Sequence, residues 1–253
     1  NMAHGEFFML GAYFMVVITG AGLNPWVGII LAPIVLGAFG MAVERLMIRP
    51  LYQRGDLSSL LVTFGLSIVL QQTVRLVFGP QSRTVPMPVE GSMQILGTTY
   101  PTYRVVAAAI ALVVTIGLAL LLFRSGFGVR VRATIEAAEV ASSLGTNTSR
   151  VANLAFGLGT GLAGLAGALM APFVGVTSSM GLEQTVQSFL VVITGGLGSL
   201  AGTVGGGILI GGGQSAGSVW LGGTVAQVGV LVLAMLVMLV RPRGLFANKG
   251  RAS

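Results

Sequence analysis

Charged residues cut the chain into long uncharged runs, and those runs set the elements. Residues 7–43 carry no charge, and Asn24-Pro25 falls near the middle of that stretch. One helix of that length overshoots a bilayer, so the pattern predicts two spans, about 7–23 and 26–43, joined at an Asn-Pro turn. Residues 57–74 and 105–123 form two further uncharged runs. Between them lies a polar stretch with Pro80, Pro86, Pro88, Gly91 and Gly97, whose 91–103 part alternates and turns like a short hairpin. The run 151–182, the isolated Glu183 and the run 184–240 complete the apolar part of the sequence. The expected fold is all-α: a polytopic membrane helical bundle in one domain, 1–253.

Charge then orients the spans. Connections 44–56 and 124–150 and the tail from Arg241 hold eleven of the fourteen Lys and Arg, against three in 75–104. Basic residues collect on the cytoplasmic side of membrane proteins, so the first three regions face the cytoplasm and the Pro-rich loop faces out. Between residues 150 and 241 the chain must then cross an even number of times. The segment 184–214 is dense in glycine: Gly195, Gly196, Gly198, Gly202, Gly205 to Gly207 and Gly211 to Gly213. The pattern predicts a broken or re-entrant element there, since irregular backbone at membrane depth survives only where protein or a water-filled cavity covers it.

Composition agrees and excludes several chemistries. Only 8% of the 253 residues are charged while 54% are hydrophobic, far from the roughly 25% charged of a soluble domain. With no cysteine and one histidine, His4, thiol catalysis and Cys- or multi-His metal sites are absent, and no metal is expected. The net charge of +7 fits cytoplasmic basic loops rather than a nucleic-acid surface. Glu6 and Glu183, at predicted edges, are the only acids that could serve ion coupling, and no Gly-Lys-Ser or Gly-Lys-Thr phosphate loop occurs, so if the chain takes part in energised transport the energy is expected from another subunit.

Three features carry functional information. In the loop 124–150, Ala133, Ala137, Val140, Ala141 and Leu144 recur at helical spacing, with Arg132 and Glu136 four apart on a polar side and Gly145 as a stop. This predicts one amphipathic helix, about Arg132–Leu144, either lying in the lipid headgroups or docking into a groove on a partner. Pattern alone does not separate these. Gly157, Gly161 and Gly164 with Thr160 and Ala168, and again Gly198, Gly202 and Gly206, give small-residue spacings that read first as tight helix packing. Asn1, His4, Gly5 and Glu6 open the chain; His4 beside Glu6 reads as a satisfied interfacial pair, and Glu6 and Glu183 are both placed at span edges. Exposed backbone and the Asn1 and His4 side chains, with Gly5, could equally line a polar path.

These blocks in order resemble the membrane permeases of the bacterial ABC importers for branched-chain amino acids, a family that also includes urea and short-amide importers. Asn1 to Glu6 with Leu10 to Tyr13 is similar to the family's opening block. So are Glu44 to Leu46 with Arg49 to Leu51, Gly65 to Ser67 and Gln71-Gln72, Gly128 to Gly145, Gly195 to Gly202, and Arg241 to Phe246. The family's usual helix before the opening block is missing, which suggests an incomplete N-terminus. The resemblance implies a non-catalytic pore subunit in the bacterial inner membrane. Its partners would be two ATPase subunits, a second similar permease, a periplasmic or lipid-tethered binding protein and membrane lipid; no nucleic acid is expected. ATP and Mg would bind the ATPases and no cofactor this chain.

Coupling would fall to Arg130, Arg132, Ala133, Glu136, Ala137, Val140, Ala141, Leu144 and Gly145. The translocation path or helix break would involve Asn1, His4, Gly5, Gly195, Gly196, Gly198, Ser199 and Gly202. Branched-chain amino acids are the first choice of substrate, with urea or short amides as the alternative. A passive channel and an intramembrane enzyme are the rival classes; the first needs no docking helix, and the second finds no paired acids at depth.

Overall fold

A computed structural model describes residues 1–52, 54–95, 98–196, 198–241 and 244–245 of the chain. Ten α-helices and one β-hairpin are seen among them, in two compact units, Asn1–Glu183 and Gln184–Ser253.

The first unit opens with α1 (His4–Gly20) and α2 (Pro25–Val43). The turn between them is built as its residues demand. Gly22 takes a left-handed φ of +75°, the Asn24 side chain accepts a hydrogen bond from Trp26 N at 3.0 Å, and Pro25 supplies the first helical residue. The two predicted spans are therefore present, each within a few residues of its expected bounds. Beyond α2 the chain tightens through a π-helical turn, Glu44–Ile48, and a 3-10 turn, Arg49–Leu51. Helix α3 (Asp56–Phe78) runs between two left-handed glycines, Gly55 at +86° and Gly79 at +82°. The predicted hairpin is β1 (Ser92–Ile95) against β2 (Thr98–Pro101), with Ser92 opposite Pro101. Arg83 and Val176 exchange backbone hydrogen bonds of 2.9 and 2.8 Å, which ties this loop to the chain following α7.

Helix α4 (Thr102–Arg124) leads into α5 (Gly126–Glu136), α6 (Ala138–Ser143) and α7 (Thr148–Met170). The single helix expected over Arg132–Leu144 is two helices. Ala137, at φ −154° and ψ 79°, breaks it. Alanine is the best helix former, so nothing local marks the break. The bend lets α5 bury Gly128 and Val131 while α6 buries Ala141. The predicted stop is where the sequence puts it: Gly145 has φ +83°, with Gly145 N on Ser142 O at 2.9 Å and Thr146 N on Ala141 O at 3.0 Å.

Helix α7 is the axis of this unit and packs most extensively on α2 and α1. Its small residues carry the contact. A Cβ added at Gly161 would stand 2.6 Å from Pro33 O, and one at Gly167 or Gly11 would strike the backbone of Phe8 or Gly164. Thr160 and Ala168 are buried on the same side. Such approach is the main route to helix association where lipid supplies no hydrophobic drive.

In the second unit, α8 (Met180–Gly195, whose first turn belongs to the first unit) and α9 (Leu200–Leu221) meet at a bend of 117°. Helix α10 (Gly223–Val240) returns along α9 after Gly222, at φ +83°. The break predicted across the glycine-rich run falls between the end of α8 and the start of α9, and Gly202 through Gly213 lie inside one continuous helix. Glycine is tolerated there because a membrane helix must satisfy every backbone group internally. Two of these glycines also allow close contact: Gly202 packs on Gly195, and Gly206 on the Val191 carbonyl. Gly198 stands in the break itself at φ +80°, off the packing row that the spacing suggested.

Among the described residues five helices, α2 with its extension, α3, α4, α7 and α10, are long and apolar enough to cross a membrane; the α8–α9 pair qualifies as a bent sixth, and α1 is a shorter apolar helix.

Two glycine classes give a test of the packing. Gly167→Ala is expected to lose folded protein, at a cost of about 1–3 kcal/mol for overpacking against backbone. Gly212, with nothing within 4 Å, should accept alanine without loss. Thermal challenge of each variant in detergent, followed by size-exclusion chromatography, reads both. Equal behaviour would contradict the packing described.

Candidate functional site

The loop from Arg124 to Arg150 presents a surface the pattern only half described. Ser125 opens α5, its hydroxyl accepting from Gly128 N at 3.1 Å, and Asn147 opens α7, its side chain accepting from Arg150 N at 2.9 Å. Both ends of the loop are thus fixed by caps. Within it the apolar stripe divides. Ala141 is buried against the bundle and Ala133 is half-buried, while Val140 is 59% and Leu144 82% exposed. Ala137 is exposed at the break, and Gly145 forms the exposed turn. Ile135, which the periodicity did not select, is 69% exposed. The loop therefore carries four large uncovered apolar side chains, Val129 on α5 and, around the break and beyond it, Ile135, Val140 and Leu144.

On the polar side Arg132 also reaches back to the preceding helix. Its guanidinium donates to the Leu122 carbonyl and lies 5.7 Å from the Phe123 ring, clamping α5 back onto the end of α4. Arg130 and Glu136 are exposed.

Beside this loop lies a hub that sequence reasoning passed over as part of a family block. Glu44 is wholly buried, and its carboxylate accepts from Arg49 at 3.1 and 3.4 Å, from Tyr52 Oη at 3.0 Å and from Asn153 Nδ2. Asn153 also donates to Met41 O at 2.8 Å, and Arg49 to Ser149 O at 3.2 Å. The end of α2 is thereby bolted to the start of α7, which follows the loop directly. Partial burial, and then the adjoining Glu44 carboxylate, push the Tyr52 phenol up to about 12, so it stays a donor at physiological pH. The available signal was the Glu44/Arg49 spacing of five, which brings the pair together only through a π-helical turn.

The opening residues are also placed differently from their reading as an interfacial pair. Glu6 is completely buried and accepts from Ser67 Oγ at 2.7 Å and Gln71 Nε2 at 2.9 Å, both on α3. It sits in the first turn of α1, two residues after His4. His4 is exposed. The Asn1 side chain accepts from Ala3 N at 3.1 Å, and Gly5 is buried beside Gly181.

At the α8–α9 break, Ser199 caps α9, accepting from Gly202 N at 3.0 Å, and Gly195 and Gly196 are buried. Gly244 packs on Gly196, and Leu245 N donates to Thr194 O at 2.9 Å. Two blocks distant in sequence, 195–202 and the start of the tail, thus meet. The rest of the tail block, Pro242, Arg243 and Phe246, lies outside the described residues, as does Leu197. Among the described residues no three His, Asp or Glu side chains converge as a metal site.

The Glu44 hub yields a sharp expectation. Arg49→Met leaves a buried carboxylate without its cation and should lower stability by about 3 kcal/mol, whereas Tyr52→Phe, which removes one neutral donor, should cost about 1 kcal/mol. Thermal midpoints of the purified variants check this. A larger loss for Tyr52→Phe than for Arg49→Met would contradict the assignment.

Comparison with known proteins places this geometry. The family model described as the permease component of branched-chain amino acid transport systems matches residues 1–240. The high-affinity branched-chain amino acid transport permease LivH of Salmonella typhimurium is 32% identical, over 98% of this chain and 85% of that protein. LivH of Escherichia coli K12 is 31% identical over the same shares, and BraD of Pseudomonas aeruginosa is 30% identical over 98% and 86%. No solved structure matches the chain. With the whole bundle covered, from the Glu6 helix to α10, the chain belongs to the branched-chain amino acid transport permease family.

Proposed function

We propose that this chain is a pore-forming subunit of an ATP-driven importer of branched-chain amino acids in the bacterial inner membrane. It would pair with a second permease, receive substrate from a periplasmic or lipid-tethered binding protein, and be driven by two ATPase subunits that hold ATP and Mg. The family match over residues 1–240 carries this reading. The relatives it aligns with are named as branched-chain amino acid permeases, which favours that substrate class over urea or amides.

The loop geometry supports the coupling role. Ile135, Val140 and Leu144 are uncovered on the side that the charge distribution assigns to the cytoplasm. A short apolar knob held by two caps, a clamped arginine and the adjacent Glu44 hub suits a groove on an ATPase. Force applied there enters α7 directly, because the loop ends at Asn147, the N-cap of α7. The chain itself would perform no covalent chemistry.

Two variants separate docking from folding. Leu144→Asp and Val140→Asp alter exposed positions, so the permease should accumulate and insert normally. Both should lose the ATPase on purification of the complex in mild detergent and reduce leucine uptake by at least about tenfold, the effect of desolvating an unpaired charge at an interface. Ala141→Asp should instead damage the loop itself, since Ala141 is buried. Retention of a full ATPase complement by both surface variants would refute the docking assignment. A wild-type preparation that contains no ATPase would refute the importer.

A further inference from the structure

Two acidic side chains are completely buried among the described residues, Glu6 and Glu44. They are satisfied very differently. Glu44 has its arginine, tyrosine and asparagine. Glu6 has both of its hydrogen bonds on Oε1, while Oε2 has no hydrogen-bond partner among the described residues. That holds in either protonation state: the ionised oxygen lacks a donor, and a protonated one lacks an acceptor. Among the described residues no basic side chain forms an ion pair with Glu6, in contrast to Arg49 with Glu44. A buried carboxyl half satisfied in an apolar surrounding is costly, and such groups mark function far more often than support.

The surroundings show what this oxygen faces. A Cβ added at Gly181, in the first turn of α8, would run into the Glu6 carboxyl and stand 2.9 Å from Gly5 O. Glycine at 181 therefore lets the α8 backbone lie directly over Oε2. The partners on the other side belong to a row. Ser59, Thr63, Ser67 and Gln71 recur every four residues along α3 and form one polar seam on that helix. Thr63 is buried and accepts from Met2 N at 3.1 Å, and Ser67 is buried against Glu6. Anchoring α1 does not require this seam, because α1 is already held on α7 through Gly11, Gly164 and Gly167.

We propose that Glu6, positioned by Ser67 and Gln71, is an occluded half-site for the ammonium group of a zwitterionic substrate. The first turn of α8 covers Oε2 in the state described and uncovers it during the transport cycle, when the carboxylate takes the ammonium. This deepens the reading of the chain as an amino-acid permease and rests on it. A neutral solute such as urea would have no use for the carboxylate.

Glu6→Gln is the direct test, because the amide keeps the shape and its oxygen still accepts from Ser67 and Gln71. The complete importer, assembled with its partner subunits and reconstituted in proteoliposomes, is given leucine-loaded binding protein at saturation. The variant is expected to co-purify with its partners and to hydrolyse ATP like the wild type, while leucine uptake falls by about tenfold or more, the scale of a lost charge-assisted hydrogen bond. Uptake within twofold of wild type overturns the half-site and leaves the importer standing. Should Glu6→Gln fail to assemble, labelling of Glu6 by a hydrophobic carbodiimide in the wild-type complex decides. Labelling that rises during ATP turnover and falls on addition of leucine supports the proposal, and labelling indifferent to leucine overturns it. A wild-type importer that takes up none of leucine, isoleucine and valine overturns both readings.

Discussion

Everything in the first unit hangs on how closely the α7 backbone approaches α1 and α2. In lipid there is no gain from hiding one apolar side chain behind another, so helices associate through van der Waals contact and through polar groups with nowhere else to go. Glycine at 157, 161, 164 and 167 removes the side chains that would hold the helices apart. Once α7 lies against α1 and α2, the remaining polar groups are forced into register. Asn153 reaches Glu44, Tyr103 Oη donates to the Leu169 carbonyl at 3.1 Å, and the Phe7 ring stacks edge-on to Phe156 at 6.2 Å. None of these contacts would survive the few ångströms of separation that larger residues on α7 would impose.

This close packing also gives the coupling loop something rigid to act on. A loop that was merely amphipathic would slide on the membrane surface. Here it is tied at Ser125 and Asn147, clamped through Arg132, and adjoined by a buried ionic hub that spans α2 and α7. A buried ion pair adds little net stability compared with apolar packing, but it is costly to break. That asymmetry suits a joint that must stay fixed while other parts move. The bend between α8 and α9 is the contrasting element, where glycines on both sides allow the two helices to touch.

Much of the bundle was legible because membrane proteins advertise their spans. Uncharged runs, the Asn24-Pro25 turn and the glycine spacing of α7 led to the observed helices, and the 91–103 alternation led to the hairpin. The failures have a common physical source. The break at Ala137 and the continuity of α9 through eight glycines both depend on tertiary contact or on the surrounding lipid, and neither is written in local propensity. The burial of Glu6 was not legible from its neighbours in the sequence. Its partners, Ser67 and Gln71, lie more than sixty residues away, and only the packing of α1 on α3 brings them together. The pairing of Glu44 with Arg49 was hidden by a π-helical turn that no sequence rule anticipates.

The central claim is that the Ile135, Val140 and Leu144 surface is where an ATPase takes hold. The chain has no cysteine, so Leu144→Cys gives a single reactive position. A short maleimide photoprobe attached there, activated in native membranes and followed by mass spectrometry of the product, identifies whatever covers that surface. The account predicts a crosslink to an ATPase subunit that weakens or shifts when ATP is supplied. Crosslinks to lipid alone would contradict it, and the loop would then be a helix resting in the headgroups.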